Sequence, residues 1–343
     1  MNNMPNRRKR TGGNPTFTLV LIIALLLVCF IYCMSSVIKN YTPADAVDLR
    51  VAPKQDDQQN VQEQKSPSGL PEGYTVKNIG YDEIYSGDLI LVNNDIEYKF
   101  DKTSAENPRQ DVVTVYSSKN NSYYVKDMSI KLCPKTIENA NKMFSDYVKF
   151  SGKADLLINA AYRSYDDQVE IQNEKIKQLG EEQGRLIAAN PGYSEHHSGL
   201  AFDICIYDDG AYAAFDGLGK RSWMHENCYK YGFILRYPEG KTDITKITYE
   251  PWHYRYVGIP HAQYITENNL CFEEYIELLK TKTFEKEHLY VDCDDGNKYE
   301  IYYIGAEKAG EDIKVTLPEN AEYTLSGNNT DGIVVCVKLN AAQ

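Results

Sequence analysis

The chain has 343 residues, 42% hydrophobic and 25% charged, a balance that suits a globular protein with one sizeable domain and a small companion. Its formal charge is −12, and because the first 39 residues hold five cations and no acid, the remainder carries −17. A body that acidic repels a phosphate backbone, which excludes nucleic-acid binding.

Residues 1–16 form a basic tail with Arg7, Arg8, Lys9 and Arg10 in a row. From Phe17 to Ile38 the sequence is apolar apart from Thr18, Ser35 and Ser36, long enough to cross the ~30 Å hydrocarbon core as a helix. Cations before the span place that end in the cytoplasm and the rest of the chain outside. A cleaved signal peptide is the competing reading, but its apolar core is usually ~7–15 residues long, and no small-x-small pattern follows here. The expectation is an uncleaved single-pass anchor at 17–38. Residues 39–72, rich in Asp, Gln, Pro, Ser and Lys, then read as a flexible linker.

Residues 73–283 are expected to form the main domain, with its core at 130–283. Asp88 to Phe100 reads as a short apolar strand, a polar turn and a second extended piece. Apolar residues at helical spacing from Thr136 to Phe150 predict a helix with one buried face, and Asp155 to Ala161 a buried strand. Ser164 is placed to cap a helix from Tyr165 to about Leu179, with Asp166 and Asp167 in its first turn. Gly199 to Ile206 predicts a strand, Arg221 to Tyr231 a helix closed by Gly232, Phe233 to Arg236 a short strand and Ile247 to Tyr256 another. One or two helices are expected from Ile259 to Leu279. Period-two patterns separated by Asp-Gly and Gly-Asn turns then predict a small all-β domain at 284–343.

Of eight cysteines, Cys29 and Cys33 fall in the apolar span. The other six allow 15 pairings among which sequence does not choose. Cys293 and Cys336, both in predicted strands, are one candidate pair. Burial as small hydrophobes is the alternative.

Two segments carry chemistry. Tyr193-Ser-Glu-His-His-Ser-Gly-Leu-Ala-Phe-Asp203 offers His196, His197 and Asp203, and Glu250-Pro-Trp-His-Tyr-Arg-Tyr256 offers Glu250 and His253. Two imidazoles and a carboxylate are the ligand set of a catalytic zinc with a position left open for water, and a nearby carboxylate supplies the base. His196, or its neighbour His197, meets Asp203 only if the chain turns near Gly199. In a flat strand Glu250 and His253 would face opposite ways, so Pro251 must mark a bend. The duller readings are a structural Asp203 and an ion pair between Glu250 and Arg255. His225, His261 and His288 read as surface or satisfied core residues.

Ser194-x-His196-x-x-Gly199-x-Ala201-x-Asp203 and Glu250-x-Trp252-His253-x-Arg255-Tyr256 resemble the signature of the VanY-type zinc D-alanyl-D-alanine carboxypeptidases, relatives of VanX-type dipeptidases and of L,D-carboxypeptidases. Tyr162-Arg163-Ser164 with Gln168 resembles a third family segment, and the likeness spans roughly residues 155–280. The resemblance implies an α+β fold of the hedgehog/D-Ala-D-Ala-peptidase type, a small antiparallel sheet with flanking helices around the metal. It implies Zn2+ held by His196, Asp203 and His253, Glu250 as the base for a zinc-bound water, and Arg163 stabilising the oxyanion. Gln168, Ser194 and Trp252 are expected at the substrate. The substrate so implied is a peptidoglycan stem peptide, cut at a bacterial cell surface. An L,D-carboxypeptidase acting on tetrapeptide stems and a non-catalytic wall-binding module are the alternatives.

Overall fold

The computed structural model describes residues 70–100 and 111–339. The expected basic tail and anchor, and nearly all of the linker, lie outside the described residues. Among those described, no helix is long and apolar enough to cross a membrane.

The chain enters through β1 (Tyr74–Ile79) and reaches three two-residue strands, β2 (Val113–Thr114), β3 (Tyr124–Val125) and β4 (Lys131–Leu132). Helix α1 (Pro134–Ser151) follows, opened by proline, whose missing N–H costs nothing at a helix start, and closed by Gly152 at φ 81°. Its buried face is Ile137, Ala140, Met143, Phe144 and Tyr147, packed on β5 (Leu156–Ala160) in one apolar core. Helix α2 (Tyr165–Leu179) starts at a reciprocal cap: Ser164 Oγ accepts from Asp167 N, and Asp167 accepts from Ser164 N.

After the short α3 (Glu181–Ile187) come β6 (Ala201–Asp208) and β7 (Ala211–Ala214). The helix expected from Arg221 to Tyr231 is three short pieces, a 3-10 turn, α4 (Ser222–Asn227) and a second 3-10 turn that Gly232 ends at φ 80°. Strand β8 (Phe233–Leu235) leads to a helical turn at Thr242–Thr245, and β9 (His253–Tyr256) is much shorter than the strand expected from Ile247. Helices α5 (Ile259–Glu267) and α6 (Phe272–Thr281) complete this part.

Strands β3, β5, β6, β9 and β8 lie side by side, with β7 also on β6, in a six-stranded sheet. All its pairs are antiparallel except β3 with β5.

The C-terminal strands are β10 (Leu289–Asp292), β11 (Lys298–Gly305), β12 (Ile313–Pro318), β13 (Glu322–Gly327) and β14 (Gly332–Leu339). Four form an antiparallel sheet in the order β10-β11-β14-β13. β12 instead pairs with β1 along its whole length, from Tyr74 opposite Pro318 to Ile79 opposite Ile313. The strand that opens the expected main domain is therefore a partner of the C-terminal region.

Leu89 to Val92 forms no ladder. All four residues are buried: Leu89 and Leu91 face a core shared with α6 and β11, while Ile90 and Val92 face Leu200 and Cys133. An extended segment with apolar neighbours on both sides has no strand beside it, so its backbone is satisfied otherwise. Arg255 donates to the Asp88 and Ile90 carbonyls, and Ser326 Oγ accepts from Leu89 N. Cys293 and Cys336 lie in one apolar cluster as free thiols, and Cys205, Cys228 and Cys271 are free thiols as well.

Candidate active site

Strand β5 carries the chain to Arg163, whose backbone N donates to the His196 carbonyl (3.3 Å). His196 and His197 sit in a single 3-10 turn, Glu195–Ser198, stopped by Gly199 at φ 65°. A Cβ at Gly199 would lie 2.7 Å from Val112 Cγ1 and 3.0 Å from Cys133 Sγ, so both the left-handed backbone and the close approach require glycine. Gly199→Ala is expected to lower stability by at least about 1–2 kcal/mol, the cost of that backbone for an L-residue alone. An unchanged urea midpoint would show that the turn is not held this way.

The two histidines diverge. Both nitrogens of His197 are occupied: Nδ1 donates to the Arg163 carbonyl (2.8 Å) and Nε2 accepts from Gly192 N (3.1 Å). His196 donates from Nδ1 to the Ala161 carbonyl (2.7 Å), so in the neutral ring the Nε2 lone pair faces the cleft. Burial, and then the Arg163 guanidinium, push its pKa down to about 4.

Beyond Gly199 the chain returns as β6, where Asp203 stands opposite His253 of β9. Neighbours in register share a face, and His253 Nδ1 lies 2.8 Å from Asp203 Oδ1. His196 Nε2 is 3.4 Å from Asp203 Oδ2. The ligating atoms of His196, Asp203 and His253 all fall within 4.8 Å of one another.

Glu250 reaches the same place through a turn at Pro251-Trp252. Its N–H donates to the Tyr237 carbonyl and its own carbonyl accepts from His253 N, both at 3.2 Å. His225 Nε2 fastens the turn by donating to the Pro251 carbonyl (2.8 Å). Glu250 Oε2 ends 3.8 Å from His253 Nδ1. Burial pushes the Glu250 carboxyl up to about 7, with His253 opposing the rise.

Arg163 closes the other side, with NH2 3.6 Å from Asp203 Oδ2 and NH1 donating to Gln168 Oε1 (3.2 Å). The Gln168 amide nitrogen is taken by the Ala189 carbonyl, so both ends of that side chain are engaged within the protein. Ser194 and Trp252 line the cleft, together with Tyr193, Tyr237, Lys175, Asn93 and Asn94, around a volume of about 320 Å³.

Sequence reasoning missed Glu195. It is fully buried between two buried guanidinium groups, 2.7 Å from Arg236 Nε and 2.9 Å from Arg255 NH1, and its second oxygen lies 3.4 Å from His253 Nε2. Arg255 thus pairs with Glu195 and not with Glu250. Burial opposes ionisation of Glu195, but the two guanidinium groups overcome it and hold the carboxyl well below the usual range. Its signal was its place between Ser194 and His196; its partners, 41 and 60 residues away, carried none. Burial likewise disfavours a proton on His253, yet bonds to Asp203 and Glu195 raise its pKa to about 9. Carboxylates that hold a proton on this ring against burial favour a cation in the cleft. Together with the cleft-facing lone pair of His196, the donor set suits a divalent metal of the zinc type.

The family model for VanY, D-alanyl-D-alanine carboxypeptidase, matches residues 129–259. A D-alanyl-D-alanine carboxypeptidase of Enterococcus faecium is 35% identical over 281 residues, covering 81% of this chain and 84% of that one. The bifunctional D-Ala-D-Ala dipeptidase and D-Ala-D-Ala carboxypeptidase VanXYC of Enterococcus gallinarum is 37% identical over 143 residues, 40% of this chain and 75% of that protein. Among solved structures, the vancomycin-resistance D,D-dipeptidase VanXYg in complex with a D-Ala-D-Ala phosphinate analogue superposes with a TM-score of 0.67 at 28% identity, over 78% of this chain and 99% of that one.

Proposed function

The chain belongs to the VanY family of D-alanyl-D-alanine carboxypeptidases, and on that premise we propose that it removes the C-terminal D-alanine from peptidoglycan stem peptides with the help of a zinc ion. The observation that carries the reading is one cleft in which the ligating atoms of His196, Asp203 and His253 lie within 4.8 Å of one another and Glu250 stands 3.8 Å from His253. Those three residues would hold the zinc, which when bound would supply a Lewis acid for the scissile carbonyl and acidify water.

Glu250 acts as general base and then general acid. It takes a proton from the water as the oxygen–carbon bond forms, and returns it to the departing amine as the carbon–nitrogen bond breaks. Burial raises the proton affinity of this carboxyl, which suits it to both halves of that task. Arg163, anchored by Gln168 beside Asp203, presents a permanent positive charge to the oxyanion that develops on the carbonyl oxygen. Glu195 keeps His253 oriented, with its Nδ1 towards the cleft.

The test is the product profile on defined stem peptides with and without a chelator. A pentapeptide ending in D-Ala-D-Ala is expected to lose one D-alanine, chelation to stop the reaction and added zinc to restore it. Loss of D-alanine from the tetrapeptide alone would move the assignment to an L,D-carboxypeptidase, and activity indifferent to chelation would remove zinc from it.

A further inference from the structure

The cleft has a rim from outside the matched family segment. Asn93 and Asn94 line it together with Glu250 and His253, although they lie ahead of residues 129–259. Asn93 is wholly committed to structure: its Oδ1 accepts from Asp95 N and Ile96 N, and its Nδ2 donates to Glu273. Asn94 differs, with an exposed side chain that has no hydrogen-bond partner among the described residues. A carboxamide offers one acceptor and two donors, the complement of a peptide group's N–H and C=O.

What holds this rim in place is the C-terminal region. Asn329, buried and left-handed at φ 67°, donates from Nδ2 to the carbonyls of Leu91 (2.8 Å) and Glu97 (3.0 Å), on either side of Asn93-Asn94. Asn328 O accepts from Leu91 N (3.3 Å) and Ser326 Oγ from Leu89 N (2.8 Å). The turn between β13 and β14 therefore grips the segment at both ends of its exposed tip.

We propose that Asn94 binds a main-chain amide of the stem peptide, and that the C-terminal β region serves the active site by bracing Asn94 through Asn329; this rests on the stem-peptide reading of the cleft. Asn94 is then a substrate-binding residue and Asn329 a positioning residue that acts through it.

The experiment is calorimetric titration of the pentapeptide into the full-length, zinc-loaded Glu250→Gln protein, whose turnover is slowed enough for binding to be read. Adding Asn94→Ala is expected to weaken binding about three- to tenfold, the worth of one neutral hydrogen bond. Asn329→Gly keeps the left-handed backbone while removing the carboxamide, and is expected to weaken binding to a similar extent at unchanged zinc content. Combining the two should weaken it no further, a non-additivity that a merely structural Asn329 would not produce. Affinity unchanged by Asn94→Ala overturns the inference, and additive losses in the double variant overturn the brace. If Asn329→Gly does not fold, Ser326→Ala, which releases Leu89 N, takes its place in the same comparison. A parent protein that does not bind the pentapeptide overturns the reading of the cleft itself, and the inference with it.

Discussion

Glu250→Gln is expected to bind zinc as the unsubstituted protein does and to lower kcat by about 10²–10⁴-fold, the usual range for loss of a positioned acid–base group. The substitution keeps the shape of the side chain and its place 3.8 Å from His253, but an amide neither accepts the proton of the attacking water nor returns it to the amine. Because Glu250 is separate from the His196, Asp203 and His253 set, metal content measured by atomic spectroscopy should not fall with the rate. Normal turnover by a zinc-replete variant would falsify the assignment of Glu250 as base. Loss of zinc along with activity would instead place Glu250 among the groups that hold the metal.

The largest effect on stability is expected from Glu195→Ala. The carboxylate is buried with Arg236 and Arg255, neither of which has any exposed side-chain surface. Arg236 keeps a second partner in Glu273, which it grips through both terminal nitrogens at 2.9 and 2.6 Å. Arg255 keeps backbone carbonyls and the face of the Phe272 ring, 5.0 Å away, but no second ion pair among the described residues. Removing one member of such a buried ionic network leaves uncompensated charge and costs about 3–5 kcal/mol. His253 also loses the partner of its Nε2, for which an outer-shell substitution typically costs about 10–100-fold in metal affinity. Urea denaturation and competitive zinc titration read the two effects separately. A shift in stability below about 1 kcal/mol would mean that solvent reaches the arginines. Glu195→Asp, which keeps the charge, should recover part of both losses.

These two residues differ in how far sequence reveals them. Glu250 and His253 share a short motif, and the bend that Pro251 demanded is present as a turn. The roles of Glu195 and Tyr237 came only from coordinates. Tyr237 packs its ring 4.9 Å from that of His253 and gives its carbonyl to Glu250 N, yet nothing around it in the chain distinguishes it from the other 27 tyrosines. Glu273 stands outside the matched segment, on α6, and joins the same network.

Local pattern specified what local physics controls. Spacing at 3.6 residues located α1, Ser164 with two following aspartates marked the start of α2, and alternation marked the C-terminal strands. Each depends on groups only a few residues apart. The two motifs likewise carried the donor types that the fold gathers, two imidazoles and a carboxylate, because a donor set is a matter of residue type.

Tertiary structure decided every pairing between distant groups. Hydrogen bonding at both nitrogens set His197 apart from His196, and the register of β6 on β9 placed Asp203 against His253. The apolar run at Leu89–Val92 has a strand's composition, but its backbone is satisfied by Arg255, Ser326 and Asn328, and β1 found its partner more than 230 residues away in β12. Such outcomes follow from which polar groups are desolvated together once the cores assemble, and that is a property of the packed molecule.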